Sequence, residues 1–437
     1  MIRALYSLLM HLAQPFMRAR LKRRALAEPG YALAIEERFG YYAAAAVPTG
    51  PAFIWVHAVS LGETRAAAIL VAQLRQQFPG MRLLLTHGTA TGRAHGTALL
   101  QVGDVQVWQP WDTPGATARF LRQFKPRIGI LMETEVWPNL VEACRRQQIP
   151  LVLANARLSG KSLQHSLKLA WLARPAYRAL TAAWAQTQAD ADRLKQLGAP
   201  VAGVLGNLKF DASPNRAQLA NGRAWRTLTG RPVVLFASSR EGEEAALLAI
   251  LKDTPQGLTK AVQWLIVPRH PQRFDEVAAM ITAHGFAVSR RSNWQDALPK
   301  PVDAPPDCLW LGDSLGEMPL YYGLASVALL GGSFEPLGGQ NLIEAAACAC
   351  LVVMGPHTFN FTEAAQLAQD AGAALRAPDL AGAVALALAL ADDTNRLQAA
   401  RNAAEVFTAA HRGATVKLVR AIDNVLSSRH PPPKELS

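Results

Sequence analysis

Cysteine is too scarce in this chain of 437 residues to form a disulfide framework. The four cysteines are Cys144, Cys308, Cys348 and Cys350, and so few thiols in a long chain are typical of a cytosolic protein that keeps them reduced. Cys348 and Cys350 lie in the apolar stretch AAACACLVVMG, which supplies too few closely spaced ligands for a zinc site. They are expected to be small buried residues.

Acidic and glutamine-rich tracts are also absent, and charged residues make up only 18% of the chain. Apolar residues make up 50%, which argues against a disordered chain and predicts a globular protein. A chain of this length exceeds what one hydrophobic core usually supports, so two or three domains are expected.

Negative charge is missing from the N-terminal segment. The formal net charge is +12, and six basic residues lie within residues 1–27, where no acidic residue occurs. These residues are Arg3, Arg18, Arg20, Lys22, Arg23 and Arg24. A concentrated basic segment predicts an anionic partner, either a nucleic acid or a membrane surface.

The apolar stretch before this basic cluster favours the membrane. On a helix, one narrow polar stripe is flanked by apolar faces that carry Leu5, Leu8, Leu9, Leu12 and Phe16. The stretch is shorter than the roughly 20 residues that span a bilayer, and it lacks the features of a signal peptide. An interfacial helix on anionic lipid, kinked at Pro15, is expected. A short tilted span and a helix packed on the protein's own core are the alternatives.

Short apolar runs alternate with helix-like stretches through the rest of the chain. The runs at 52–58, 82–87, 105–108, 127–133, 150–156, 182–187 and 201–206 predict strands, as do those at 232–239, 264–270, 308–313, 326–333 and 350–356. This alternation predicts an α/β protein with two Rossmann-like, doubly wound domains. The expected boundaries are a membrane-associating segment at 1–27, domains at 28–210 and 231–427, a linker at 211–230 and a loose tail at 428–437. A return of the last helical stretch, roughly 390–427, to the first domain is the alternative.

Candidate site residues are expected where the strands end, because ligands bind beyond the carboxyl ends of strands in an open parallel sheet. Glu63 follows the first strand at the start of a helix, where the helix dipole stabilises a carboxylate. It is a candidate base if it is desolvated, and an acid that merely begins a helix is the alternative. Glu133 and Glu135 follow the fourth strand, and strand alternation predicts that only one faces the ligand.

Cations and glycines follow other strands. Lys209 suits an anionic substrate or a leaving phosphate, and the alternative is a solvated loop lysine. The stretch THGTATGRAHG (86–96) resembles a phosphate-binding loop but lacks the ending of a P-loop. In the second half, four glycines at 331–339 precede a helix opened by Asn341, with Glu344 three residues on. This pattern predicts either a capping box or a nucleotide site.

The ordered set of motifs resembles the bacterial 3-deoxy-D-manno-octulosonic acid (Kdo) transferases. The motifs are HAVSLGE, METEVWPNL, ANARLS, GNLKFD, EGEE, VPRHPQRF, GDSLGEM, GGSFEPLGGQNLIEAAA and MGPHTFNF. The resemblance implies a GT-B fold, in which two Rossmann-like domains face a cleft. It implies metal-independent, cofactor-free and inverting transfer of Kdo from CMP-Kdo to the tetra-acylated lipid A precursor (lipid IVA). It also implies work at the cytoplasmic face of the inner membrane, with two Kdo residues added in the commonest case.

The same resemblance assigns roles to individual residues. Glu63 matches the family's proton acceptor, and Glu133 and Lys209 match positions that stabilise the transition state. The residues that match the CMP-binding segments are Pro268, Arg269, Leu315, Gly316, Glu317, Asn341, Leu342, Ile343 and Glu344.

Two other functions compete with this interpretation. A transferase or epimerase that uses a UDP-sugar would share the glycine-rich loop and Glu344. A nucleic-acid binder is supported only by the net charge, since no zinc-finger spacing, RNA-binding aromatic motif or basic zipper helix is present.

Overall fold

The structure is a computed structural model that describes residues 2–43, 50–294 and 308–428. It divides into two compact units, the first made of Met1–Asp211 and Arg412–Ser437 and the second of Ala212–His411. The predicted loose tail lies, apart from Ser428, outside the described residues.

The described residues alternate between strands and helices through both units. The strands are β1 (Phe53–His57), β2 (Arg82–His87), β3 (Val105–Trp108), β4 (Ile128–Met132), β5 (Leu151–Ala156), β6 (Ala182–Ala185), β7 (Val201–Val204), β8 (Val233–Ser239), β9 (Gln263–Pro268), β10 (Val288–Arg290), β11 (Leu309–Leu311), β12 (Val327–Leu330), β13 (Leu351–Met354) and β14 (Ala374–Arg376). The helices are α1 (Ile2–Leu12), α2 (Gln14–Ala27), α3 (Leu61–Gln77), α4 (Ala90–Gly96), α5 (Pro114–Phe124), α6 (Pro138–Arg146), α7 (Gly160–Lys168), α8 (Ala170–Arg178), α9 (Gln188–Gln196), α10 (Arg216–Leu228), α11 (Glu243–Asp253), α12 (Gln256–Ala261), α13 (Phe274–Ala283), α14 (Met318–Leu324), α15 (Leu342–Ala347), α16 (Thr362–Asp370), α17 (Leu380–Ala391), α18 (Thr394–His411) and α19 (Ala414–Ser427).

The first unit is built on a parallel sheet with the order β3-β2-β1-β4-β5-β6-β7. Strands β1, β2, β4 and β5 are buried along their whole length, because helices cover both faces of such a sheet. The chain runs outward from β1 in one direction and then from β4 in the other. Strands β1 and β4 therefore flank the topological switch point, where ligands of doubly wound sheets bind.

The second unit has a parallel sheet with the order β10-β11-β9-β8-β12-β13-β14. Strands β8 and β12 flank its switch point, since β8 leads to β9 on one side and β12 to β13 on the other. The prediction of two parallel-sheet α/β domains is confirmed. The edge strands β10 and β14 were not predicted, because each has only three residues and is only partly buried, so no continuous apolar run marks it.

Two of the predicted domain boundaries differ from the structure. The segment expected to be a linker contains α10, which packs on α14 within the second unit. A Cβ on Gly222 would lie 2.1 Å from the Leu320 carbonyl oxygen, so glycine permits the two backbones to touch. The predicted second domain also included α19, which belongs to the first unit.

Helix α19 is held to the first unit by the end of the GNLKFD motif. Asp211 accepts hydrogen bonds from Gly413 N at 2.5 Å and from Thr415 N and Oγ1, both at 2.6 Å. The helix then buries apolar side chains in one core cluster with α3, among them Leu418 and Ile422 against Leu70 and Leu74. The chain therefore leaves the first unit after Asp211 and returns to it.

The N-terminal helix α1 turns its polar side towards the protein. Ser7 Oγ lies 3.0 Å from Asn139 Oδ1, Arg3 pairs with Glu142 at 3.5 Å, and Tyr6 hydrogen-bonds Asp112. Residues of the opposite side are exposed, Leu5 by 56%, Leu9 by 57% and Leu12 by 64%. The helix ends at Leu12, and Pro15, the residue predicted to kink it, lies in the first turn of the next helix, α2. In the part of the chain that the structure describes, no helix is long and apolar enough to cross a membrane.

Candidate active site

Glu63 lies at the start of α3, directly after β1. Ser60 is the N-cap of this helix: its Oγ accepts a hydrogen bond from Glu63 N at 3.3 Å and donates one to Glu63 Oε1 at 3.0 Å. Val59 N donates to the other carboxylate oxygen, Oε2, at 2.7 Å. Glu63 is therefore bonded to the residues that begin its own helix, as is expected of an acid in the first turn of a helix.

The carboxyl group of Glu63 is nevertheless unusual, because burial raises its pKa from 4.5 to about 7. The hydrogen bond from Val59 opposes this rise, whereas the nearby carboxylates of Glu133 and Glu135 add to it. A carboxyl group that titrates near neutral pH suits a general base, since it is partly ionised and able to hold a proton. The structural and functional interpretations of Glu63 are thus compatible.

Glu133 and Lys209, to which the resemblance assigns a shared role, lie close together. Lys209 Nζ is 3.5 Å from Glu133 Oε1, and both side chains are largely buried. Glu133 follows β4 with φ at 58°, in the left-handed region that non-glycine residues rarely adopt. Such strain clusters at functional sites.

The prediction that only one of Glu133 and Glu135 faces the ligand assumed that the strand continues. Strand β4 ends at Met132, and the left-handed turn at Glu133 breaks the alternation. Both carboxylates consequently raise the pKa of Glu63. Glu135 accepts a hydrogen bond from Trp137 Nε1 at 2.8 Å, and burial raises its own pKa.

Asn155 positions the segment that carries Lys209, and the sequence did not single it out for this role. It is buried in β5 with φ at 50°. Its Oδ1 accepts a hydrogen bond from Leu208 N at 3.1 Å. Asn207 Oδ1 accepts from Lys209 N at 3.0 Å. An asparagine is tolerated in this conformation better than most residues, which explains the choice of residue.

The second unit gathers positive charge where β9 ends. Pro268 is the last residue of that strand, and Arg269 follows it, with Nε donating to Gln340 Oε1 at 3.1 Å. Burial, followed by the charges of Arg240 and Arg269, lowers the pKa of His270. The cluster suits an anionic ligand.

Two buried acids of the EGEE motif hold the loops around this cluster, and the sequence did not predict that role. Glu243 Oε2 accepts from Gly332 N at 2.7 Å and from Arg240 N at 2.9 Å. Glu244 Oε1 accepts from Ser239 Oγ and from Arg273 Nη1, both at 2.8 Å. Both carboxylate oxygens of Glu243 accept hydrogen bonds from the protein backbone, which is typical of a structural role, whereas Glu244 Oε2 is buried without a hydrogen-bond partner among the described residues.

The other predicted nucleotide-binding residues lie in two loops of the same unit. Leu315 is exposed, Gly316 has φ at 78°, and Glu317 accepts a hydrogen bond from Arg291 at 2.8 Å. Asn341 is the N-cap of α15, and its side chain accepts a hydrogen bond from Ile343 N at 3.2 Å.

The side chains of Leu342 and Ile343 are buried in the core. Any contact of these two residues with a ligand would therefore use the backbone. Among the described residues, no group of three or more His, Cys, Asp and Glu side chains is arranged to hold a metal ion.

Known proteins resemble this chain in sequence. The family model of the 3-deoxy-D-manno-octulosonic-acid transferases (kdotransferase) matches residues 34–212. The 3-deoxy-D-manno-octulosonic acid transferase of Bordetella pertussis is 47% identical over 437 residues, which cover 97% of this chain and 99% of the relative. The chain belongs to the Kdo transferase family.

A second Kdo transferase, from Haemophilus influenzae, is 33% identical and covers 96% of this chain and 97% of its own length. Membership confirms the resemblance of the ordered motifs and identifies the chain as a glycosyltransferase. The functions of Glu63, Glu133, Lys209 and the nucleotide-binding residues stay predictions.

Solved structures support the fold of this Kdo transferase. Anabaena HepE in complex with UDP-glucose matches with a TM-score of 0.54 at 15% identity, over 86% of this chain and 99% of the other. A glycosyltransferase from Rickettsia africae matches with a TM-score of 0.54 at 12% identity, over 87% and 99%. At such identities the likeness concerns the GT-B fold alone.

Proposed function

We propose that the chain transfers Kdo from CMP-Kdo to the tetra-acylated lipid A precursor, with inversion and without a metal, and that it adds two Kdo residues. The observation that carries this proposal is the pKa of Glu63, raised to about 7 by burial at the switch point of the first unit. Family membership indicates that the transferred sugar is Kdo, and Glu63 provides a base for the hydroxyl of the acceptor.

Glu63 takes the proton from the acceptor hydroxyl as that oxygen attacks the anomeric carbon of Kdo. The bond from this carbon to the CMP phosphate breaks, and CMP leaves with the electron pair. Lys209, which lies 3.5 Å from Glu133, carries a positive charge that stabilises the negative charge developing on the leaving group. Glu133 orients the lysine, and its negative charge raises the pKa of Glu63 and so strengthens Glu63 as a base.

The second unit is proposed to bind CMP-Kdo through the cations where β9 ends. Arg269 is held by Gln340, and the loop at 331–334 is held by Glu243. The donor carries a phosphodiester and a carboxylate, and arginine side chains recognise such groups with two parallel hydrogen bonds. The glycine-rich loop brings backbone amides to the same end of the sheet.

Helix α1 is proposed to hold the enzyme on the cytoplasmic face of the inner membrane. Its polar side is bonded to the protein and its leucines are exposed, which favours lipid contact over packing in the protein's own core. On α2, Arg20, Lys22 and Arg23 are exposed and available to anionic headgroups.

The test of the catalytic proposal is Glu63→Gln, which removes the base and keeps the size of the side chain. With CMP-Kdo and the lipid A precursor, we expect kcat to fall by about 100-fold or more, while the melting temperature does not fall. Glu405→Gln, which changes an exposed glutamate of α18, is the matched control. Full activity of Glu63→Gln would refute the mechanism.

Mass measurement of the product counts the Kdo residues that are added. Activity measured in the presence of EDTA tests whether the transfer is independent of metal.

Calorimetry with CMP and UDP distinguishes the two candidate donor nucleotides. Tight binding of UDP without binding of CMP would overturn the proposed donor.

A further inference from the structure

The segment 86–96 packs against the two residues that bind the carboxylate of Glu63. A Cβ on Gly88 would lie 2.7 Å from Val59 Cγ1. A Cβ on Gly92 would lie 3.0 Å from the Val59 carbonyl oxygen and 3.2 Å from Ser60 C. The glycines that suggested a phosphate loop therefore permit a close approach of two backbone segments.

Both backbone polar groups of Val59 form hydrogen bonds. Its carbonyl oxygen accepts hydrogen bonds from Gly88 N at 3.2 Å, Thr89 N at 3.0 Å and Thr89 Oγ1 at 2.9 Å. Its amide nitrogen donates to Glu63 Oε2 at 2.7 Å. The direction of that amide, and of the neighbouring Ser60 hydroxyl, therefore depends on the segment that begins at Gly88.

Arg38 holds this segment from its other side. Its Nη2 donates to the Gly88 carbonyl oxygen at 3.1 Å, and the guanidinium lies 3.8 Å from the centre of the Trp108 ring. The residue is only 4% exposed. Adjacent Glu37 fixes Trp108 in turn by accepting from its backbone nitrogen at 2.9 Å. A lysine would keep the charge but lose the planar stack.

We propose that Arg38 and Thr89 are positioning residues for the base. Together they hold the segment at 88–92 against Val59 and Ser60, so that two donors meet the two oxygens of the Glu63 carboxylate. These donors stabilise the ionised form, which keeps the pKa of Glu63 within reach of neutral pH despite its burial. The inference rests on the proposed role of Glu63 as the base.

Other ionisable groups lie around Glu63 and bear on its ionisation. Glu133 and Glu135 approach from the loop after β4, and Lys209 pairs with Glu133. From β2, buried His87 lies 3.4 Å from the hydroxyl of Thr64, the residue after Glu63. Burial lowers the pKa of His87 to about 4, so this imidazole stays neutral where the enzyme is assayed.

The experiment compares kcat from pH 5 to pH 9 in Thr89→Val, Thr89→Ser and Arg38→Lys, all in the full-length enzyme. Weaker donation by Val59 raises the pKa of Glu63, so the acidic limb moves to higher pH. We expect a shift of about one pH unit in Thr89→Val and Arg38→Lys, which corresponds to about tenfold lower kcat on that limb. The KM for CMP-Kdo should not change.

Thr89→Ser keeps the hydroxyl and should restore the wild-type profile. The control is Thr97→Val, because among the described residues Thr97 Oγ1 donates to Arg93 O and Gln106 Oε1 of the same region and not to Val59 or Ser60. If Thr89→Val does not fold, Arg38→Lys decides the question, with its melting temperature as the check.

An unshifted acidic limb in the folded Thr89→Val or Arg38→Lys variant would overturn the inference, and so would an equal loss of kcat at every pH. Glu63→Gln separates this failure from that of the proposed function. If Glu63→Gln is inactive while the limb is unshifted, only the positioning role is wrong. If Glu63→Gln is active, the base itself is misassigned.

Discussion

At the scale of single residues, Glu63 shows how one side chain serves both fold and chemistry. Its position after the first strand was predictable from the pattern of strands. Its raised pKa was not, because the rise depends on burial and on two carboxylates that approach from another strand. They do so since β4 ends at Met132 and Glu133 adopts a left-handed conformation, which no hydrophobic pattern encodes.

The raised pKa predicts the pH dependence of catalysis. A base must be ionised, so kcat should fall about tenfold for each pH unit below about 7, the pKa of Glu63. Initial rates with saturating substrates between pH 5 and pH 9 check this. A rate that stays constant down to pH 5 would contradict the assignment.

The same shift predicts a pH-dependent stability. The folded-state pKa of Glu63 lies above its ordinary value of 4.5, so its stabilising contribution is complete below that value and is lost as pH rises through about 7. The free energy of unfolding of Glu63→Gln, compared with that of the wild type at the same pH, should therefore increase from pH 5 to pH 8, by at most about 3 kcal/mol. Equilibrium unfolding with denaturant at pH 5 and at pH 8 measures this difference. The control Glu405→Gln should show no such pH-dependent difference from the wild type.

At the scale of elements, the long buried strands were predicted well and the short or exposed elements poorly. Strands such as β2 and β5 show continuous apolar runs because both of their faces are covered. Helix α10 was mistaken for a linker because its sequence is polar. The close approach that holds it at Gly222 is a tertiary contact, which is not visible locally.

The exposed face of α1 makes a prediction at this scale. Leu8→Asp with Leu9→Asp places two charges on a face whose leucines are exposed by 55% and 57%. Burying one leucine contributes about 1.5–3 kcal/mol, so binding to vesicles that contain anionic lipid should weaken at least about tenfold. Cosedimentation measures the binding. Leu258→Asp, at a leucine of α12 that is 54% exposed, is the control and should bind as the wild type does. Unchanged binding of the double variant would exclude α1 as the anchor.

At the scale of the whole molecule, the number and class of the domains were predictable but the path of the chain between them was not. The last helices read as one stretch in the sequence, whereas the structure divides them between two units at Arg412. The contacts that decide this division join Asp211 to Gly413 and Thr415. Partners so distant in sequence leave no local signal.

Removing residues 412–437 should therefore destabilise the first unit although the deletion is at the far end of the chain. Hydrogen exchange should show loss of protection in α3, whose Leu70 and Leu74 share a core with α19, and unchanged protection in β8 and β12. A chain that ends at residue 428 retains α19 and is the control. Equal loss of protection in both units would show that α19 does not belong to the first unit alone.

The return of α19 also orders events during synthesis. Residues 212–411 emerge from the ribosome after most of the first unit and before its last helix. Synthesis proceeds at about 5–20 residues per second, so the apolar surface of α3 lacks its partner helix for tens of seconds. The second unit is contiguous and is able to fold during that interval. The first unit is thus begun first and completed last, and a nascent chain stalled before α19 exposes the surface that a chaperone would recognise.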